Sequence, residues 1–225
     1  MRGFRAVIWT TLMICLTAAQ PARAGAWLRD PGTGFFSVTN TMRNVAGPSA
    51  YETSLYADYG LWPRLSLGLD INERPGITGH AMIFARLPLG QTDRRTRFAM
   101  ELGVGGSHWK GDWNRMAKST LSIGHNFTSP WGAGWLNIDA AVEMRSLAPD
   151  PIYKLDASFG LASTHRFAPM LQLETTHIRS KPISWALTPS VVFKGRNNLT
   201  WLVGVEVKSA LQTSLGLKLG LWRQF

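Results

Sequence analysis

A single closed, antiparallel transmembrane β-barrel of about twelve strands is the fold this sequence predicts, and three observations predict it. The last segment, 215–225, sets Leu215, Leu217, Leu219, Leu221 and Phe225 on one parity and Gly216, Lys218, Gly220 and Gln224 on the other. Only the period of two of a β-strand sends those sets to opposite faces. The same alternation repeats from end to end, cut by turn residues, with no linker or low-complexity tract. An export leader precedes it.

The leader is read from Arg2 and Arg5, an uncharged and mostly apolar stretch from Ala6 to Ala19, and the small-x-small site Ala22-Arg23-Ala24. This is the pattern of a cleaved signal peptide, so the mature chain is expected to begin at Gly25. The apolar run is too short to cross about 30 Å of hydrocarbon as a helix. The only cysteine, Cys15, lies in the leader behind Ile14, which is not the small residue a lipoprotein site needs. The mature protein is therefore expected to have no disulfide, thiol nucleophile or acyl anchor. Removing residues 1–24 takes out Arg2, Arg5 and Arg23, lowers the formal charge from +10 to +7 and leaves 201 of 225 residues. Near-neutral hydropathy without a long apolar run suits a soluble protein or a membrane barrel equally, so the pattern has to decide.

Twelve segments alternate: 34–42, 51–59, 64–72, 80–87, 97–109, 116–127, 135–147, 153–167, 171–179, 184–194, 199–209 and 213–225. Most reach the 9–11 residues that a tilted strand needs to cross a bilayer. In the third, Leu65, Leu67, Leu69 and Ile71 alternate with Ser66, Gly68, Asp70 and Asn72. In the fifth, Gly103, Gly105 and Gly106 mark a bulge or a close approach inside the barrel. In the seventh, Leu136, Ile138, Ala140, Val142 and Met144 alternate with Asn137, Asp139, Glu143 and Arg145. In the tenth, Pro189 removes a ladder donor, which predicts a bulge or two shorter pieces. In the eleventh, Trp201, Val203, Val205 and Val207 alternate with Thr200, Gly204, Glu206 and Lys208. A soluble sandwich would alternate similarly, but here the minority faces carry both charge and glycine, as a crowded polar lumen would. Tyr51, Tyr59, Trp62, Trp109, Trp131, Trp135, Trp185 and Trp222 gather at strand ends, the headgroup level that Tyr and Trp favour. Twelve is an even number, as bacterial barrels with both termini in the periplasm require; ten or fourteen strands stay open because pattern alone leaves boundaries loose by roughly two to four residues.

A terminal Phe closing such a strand resembles the assembly signal of Gram-negative outer-membrane β-barrels. The resemblance implies that Phe225 is read by the barrel-assembly machinery and that the protein lies in the cell outer membrane among lipid and lipopolysaccharide. The stretch 51–70, Tyr-Glu-Thr-Ser-Leu-Tyr-Ala-Asp-Tyr-Gly-Leu-Trp-Pro-Arg-Leu-Ser-Leu-Gly-Leu-Asp, is similar to a hairpin of the small porin-like channels of the aromatic-compound uptake type, except that Trp62-Pro63 stands where those have two small polar residues. This resemblance implies a passive channel for small solutes.

Acids and bases nearly balance on the polar faces. The excess positive charge falls on turns, loops and ends, including Arg64, Arg94, Arg95, Lys110, Arg115, Lys181 and Arg196, where lipid phosphate is the expected partner and nucleic acid is not. Glu143, Arg145, Lys154 and Asp156 share inward faces of adjacent strands near their common loop and are expected to cluster at the external mouth. Asp139, Glu206 and Lys208 are the other lumen charges singled out. Such charges either line a water path or pair across a narrow interior and fill it. The external loops are too short to fold into a pore as a plug. No His-x-His, cysteine pair or phosphate-cradling loop is present, so no metal or cofactor is expected. Ser163 and His165 share the lipid-facing parity two residues apart, the spacing seen in outer-membrane phospholipase, but no oxyanion donor or acidic partner accompanies them. A passive channel leads, a filled structural or accessory barrel (for surface polysaccharide export, for example) follows, and a lipid hydrolase comes third.

Overall fold

The computed structural model describes residues 25–45, 50–146, 148–162, 167–179, 181–195, 198–209 and 213–225. The expected leader, residues 1–24, and the pair Ser163 and His165 lie outside them. Twelve antiparallel strands run in chain order: β1 (Gly34–Arg43), β2 (Tyr51–Trp62), β3 (Leu65–Arg74), β4 (Thr78–Pro88), β5 (Thr96–Trp109), β6 (Asp112–Ser129), β7 (Gly132–Arg145), β8 (Ile152–Ala162), β9 (Phe167–Ile178), β10 (Ser184–Lys194), β11 (Leu199–Ser209) and β12 (Thr213–Gln224). Each pairs with its sequence neighbours, and β1 pairs with β12, so the sheet closes into a barrel.

Closure satisfies the backbone where no water can. The β1–β12 register runs from Phe35 against Gln224 to Arg43 against Gly216. Beyond it Gly34 and Phe225 exchange both hydrogen bonds, N–H of Gly34 to O of Phe225 at 2.7 Å and N–H of Phe225 to O of Gly34 at 3.0 Å. A Cβ on Gly34 would strike the Phe225 ring, so glycine at that position lets the terminal aromatic lie flat on the seam. Unpaired N–H and C=O groups in hydrocarbon cost several kcal/mol each, which excludes an open edge.

The outer face is apolar around the ring: Leu67, Ile83, Val104, Leu121, Met144, Leu155, Leu171, Val191, Val203 and Leu217 are all exposed. A soluble monomer does not carry a continuous apolar belt of that extent. Exposed Tyr51, Trp62, Trp109, Trp113, Trp131 and Tyr153 sit at the strand ends, at the two rims. The rim at which β1 starts and β12 ends is the periplasmic one by the bacterial rule.

One sequence expectation needs correction, and one alternative left open by the sequence is decided. Strand β10 is neither broken nor bulged at Pro189. Its pairing with β9 is continuous, with Pro189 opposite Leu171. The ladder to β11 skips residues 188 and 189 and resumes at Ser190 opposite Gly204 in unchanged register. The missing N–H is thus absorbed by one gap in one ladder. In β5, Gly103 and Gly105 mark a close approach and not a bulge: Met82 of β4 lies where a side chain at either position would go, and the β4–β5 register is unbroken.

Residues 25–33, unassigned by pattern, turn back into the barrel. Thr33 N–H bonds to Asp30 O at 3.0 Å, Gly32 N–H to Gly60 O at 2.9 Å and Gly60 N–H to Thr33 O at 2.9 Å. Pro31 also bridges Gly60 in parallel. The segment is therefore hung on the periplasmic end of β2 with its start inside the lumen.

Val203 projects from the outer face of β11 and is exposed. Val203→Arg is expected to cost about 2–4 kcal/mol if the site lies near the bilayer midplane, read from urea unfolding in lipid vesicles. An unchanged midpoint would contradict the face assignment.

Candidate functional site: the barrel lumen

The lumen is built in tiers by the inward parity of each strand. At the external mouth Arg43 ends the inward row of β1. Its Nε donates to Glu206 Oε1 of β11 at 2.7 Å and its Nη2 to Glu52 Oε2 of β2 at 2.7 Å. Arg74 Nε donates to the same Glu52 oxygen at 2.8 Å, and Lys208 Nζ stands 3.6 Å from it. Halfway round the ring Glu143 of β7, 0 % exposed, takes Lys154 Nζ at 2.6 Å and Arg145 Nη2 at 3.0 Å.

The middle tier is crossed by chords. Lys118 of β6 reaches Asp70 of β3 at 3.5 Å, and Lys218 of β12 reaches Glu174 of β9 at 3.4 Å. Arg86 of β4 holds Asp58 at 3.2 Å, Glu101 at 2.6 Å and the Tyr56 hydroxyl at 2.6 Å. Buried ions are stable only with partners and filled hydrogen-bond sites, and these chords supply both. They leave a central cavity of about 340 Å³, lined by five acids (Asp70, Glu101, Asp139, Asp156, Glu174) and three bases (Arg86, Lys118, Lys218).

The periplasmic tier is apolar and is occupied by the chain itself. Trp27, 1 % exposed, packs with Trp135, Met170, Leu202, Val192 and Trp222. Its ring meets that of Trp135 edge-on at 6.3 Å. Gly124 of β6 backs the indole, where a Cβ would lie 2.7 Å from it. Arg29 Nε donates to Asp58 Oδ1 at 2.7 Å and the Arg29 N–H to Ser66 Oγ at 3.2 Å. Burying about 150 Å² of indole is worth about 4 kcal/mol at 25 cal/mol per Å². The Trp27 Nε1–H is buried without a partner among the described residues, at a cost of about 1–3 kcal/mol. Burial wins, and the segment stays in its socket.

Of the four residues expected at the mouth, Glu143, Arg145 and Lys154 meet there. Asp156 makes no ion pair with them: it accepts the Thr175 N–H at 3.0 Å and stands in register opposite Asp139, one tier deeper. Glu206 joins the mouth through Arg43, and Lys208 through Glu52. Phe225 lies exposed on the outer face at the seam. Sequence reasoning missed Arg43 and Arg74 because it ended β1 and β3 one and two residues early. Extending the inward parity, Thr39, Thr41, Arg43 and Asp70, Asn72, Arg74, would have found both. Trp27 had no periodic signal to find.

No known protein family matches this chain, and no curated protein matches it in sequence. Solved structures do match in fold. The porin KdgM is similar with a TM-score of 0.62 at 12 % identity, over 85 % of this chain and 99 % of that one; it has also been solved in complex with disordered oligogalacturonate. The porin NanC gives a TM-score of 0.57 at 10 % identity, over 83 % and 98 %. An outer-membrane channel from Pseudomonas putida F1 gives 0.57 at 11 %, over 92 % and 100 %. The chain therefore has the fold of the small porin-like outer-membrane β-barrels.

Glu143 supplies a test of how closed this interior is. Replacing Arg145 and Lys154 together by Gln strips a buried carboxylate of both ion-pair partners and is expected to cost about 3–5 kcal/mol. Glu143→Gln leaves instead two partly exposed cations that reach water, and costs less. Equal losses in urea unfolding would show that Glu143 is hydrated.

Proposed function

We propose that the protein is a narrow outer-membrane channel for small water-soluble solutes, passing neutral or cationic solutes ahead of anions. The observation that carries this reading is the central cavity with its five acids against three bases, inside a twelve-strand ring wider than the eight strands that side chains just fill. Fixed charge at close range sets ion preference. The likeness of the ring to porins supports a conduit. KdgM has been solved in complex with disordered oligogalacturonate, a polyanion, which an acid-rich cavity wall such as this one disfavours.

A second reading is favoured by two specific observations: chords of ion pairs cross the lumen and Trp27 fills its periplasmic tier, as in a filled barrel with a structural or accessory role. An enzymatic role finds no assembled triad among the described residues: His125 Nδ1 lies 2.8 Å from the Thr96 hydroxyl at an exposed site, without the acidic partner that would orient the imidazole. We also propose that Phe225 is read by the assembly machinery, and that the basic turns, Arg64, Arg94 and Arg95 among them, meet lipid phosphate. Phe225→Asp is expected to lower the protein in the outer-membrane fraction; a normal level there would remove the assembly role.

Planar-bilayer recording decides between channel and filled barrel. The channel predicts small, cation-preferring currents, read from the reversal potential in a salt gradient, that rise in Trp27→Ala. Silence of both proteins, each shown to be folded, would leave the accessory barrel.

A further inference from the structure

Cleavage of the leader changes the chemistry of one nitrogen in the lumen. While Ala24 is attached, the Gly25 nitrogen is an amide with one N–H. When the export peptidase hydrolyses that bond, water gives its hydroxyl to the Ala24 carbonyl carbon and a proton to the Gly25 nitrogen. The resulting α-amino group, with an ordinary pKa of about 7.7–8.0, is mostly an ammonium near pH 7.

Gly25 is buried and lines the central cavity. The Ala26 N–H donates to Asn137 Oδ1 at 3.2 Å, and Asn137 Nδ2 donates in turn to Asp139 Oδ2 at 2.6 Å. A Cβ at Gly25 would overlap the Asn137 carboxamide, so the chain start is held against this side chain. The other oxygen of that carboxylate, Asp139 Oδ1, is buried and has no hydrogen-bond partner among the described residues. Asp139 also stands directly opposite Asp156, and like charges in that position repel. Neither carboxylate has an ion pair among the described residues. The nearby cations are engaged elsewhere: Lys118 with Asp70, Lys154 with Glu143, Lys218 with Glu174, and Arg86 with Asp58 and Glu101. The wall thus lacks one cation, beside the position where cleavage creates one.

We propose that the lumen is a receptor for the chain's own processed amino terminus: the Gly25 α-ammonium pairs with Asp139, and residues 25–30, seated by Trp27, form an internal plug in the periplasmic half. Docking is then coupled to processing, because an N-terminally extended chain has no ammonium at this point. The external loops are short in sequence, and the amino terminus takes over the narrowing role. The plug rests on the leader reading and does not depend on whether the barrel conducts.

The test uses the mature chain, folded in lipid, and a membrane-impermeant amine-reactive reagent near pH 7, where the α-amine reacts ahead of lysine. Labelling is read on the N-terminal peptide by mass spectrometry. The folded protein is expected to label at least tenfold more slowly than the same chain in denaturant. Asp139→Asn is expected to label several-fold faster than wild type with its strand content intact, and Trp27→Ala faster still. Equal labelling of folded and denatured wild type would overturn the plug, even if the barrel conducts. A folded Asp139→Asn as protected as wild type would overturn the ion pair. If Asp139→Asn does not fold, Trp27→Ala carries the test, and protection of that variant equal to wild type would overturn the proposal.

Discussion

The constraint from which the rest follows is that a sheet in hydrocarbon cannot leave an edge. Here it is met at one seam, where β1 and β12 pair along their lengths and Gly34 and Phe225 exchange the last two hydrogen bonds. Closing the ring forces a side-chain period of two onto every strand and gives each strand one face for lipid and one for the lumen. The outer parity can only be apolar. The inner parity has to be polar enough to distinguish the two faces, and in a ring of twelve this encloses many ionisable groups in a small volume.

That enclosure explains the chords. An acid buried beside a like charge, or a base left alone, would destabilise the barrel by more than any single surface contact returns. Accordingly Arg43 serves Glu52 and Glu206, Arg86 serves Asp58 and Glu101, and Glu143 takes two cations. Pairing of this kind narrows the conduit as a consequence of stabilising it. The periplasmic tier solves the same problem mainly by filling space with aromatic and aliphatic groups around Trp27, with the Arg29–Asp58 ion pair beside them.

The strand pattern was legible because alternation is local. Segments 184–194 and 199–209 have the same bounds in the sequence reading and in β10 and β11. Errors arose where locality fails. Ending β1 at Met42 and β3 at Asn72 put Arg43 and Arg74 in loops and hid the mouth network. Carrying the eighth strand to Phe167 merged the end of β8 with the first residue of β9. Pro189 was overweighted: the gap it leaves is confined to one ladder, and the rest of the ring holds the register. Contacts across the lumen, such as Arg43 with Glu206 at a separation of 163 residues, depend on ring diameter and register together, which no single segment encodes. Trp27 was invisible for a related reason, since one anchor in an irregular segment has no period.

The central claim is that alternate positions of each strand see lipid and a packed polar lumen, the odd positions of β11 facing lipid and the even ones the lumen. The one cysteine of the sequence is Cys15, so in a chain that begins at Gly25 single cysteines can be spin-labelled without interference. Labels placed in turn from 201 to 207 along β11, in vesicles, should alternate: high oxygen accessibility at 201, 203, 205 and 207, and low oxygen accessibility at 202, 204 and 206. A uniform profile, or accessibility of the odd positions to a water-soluble nickel chelate instead of oxygen, would contradict the membrane barrel.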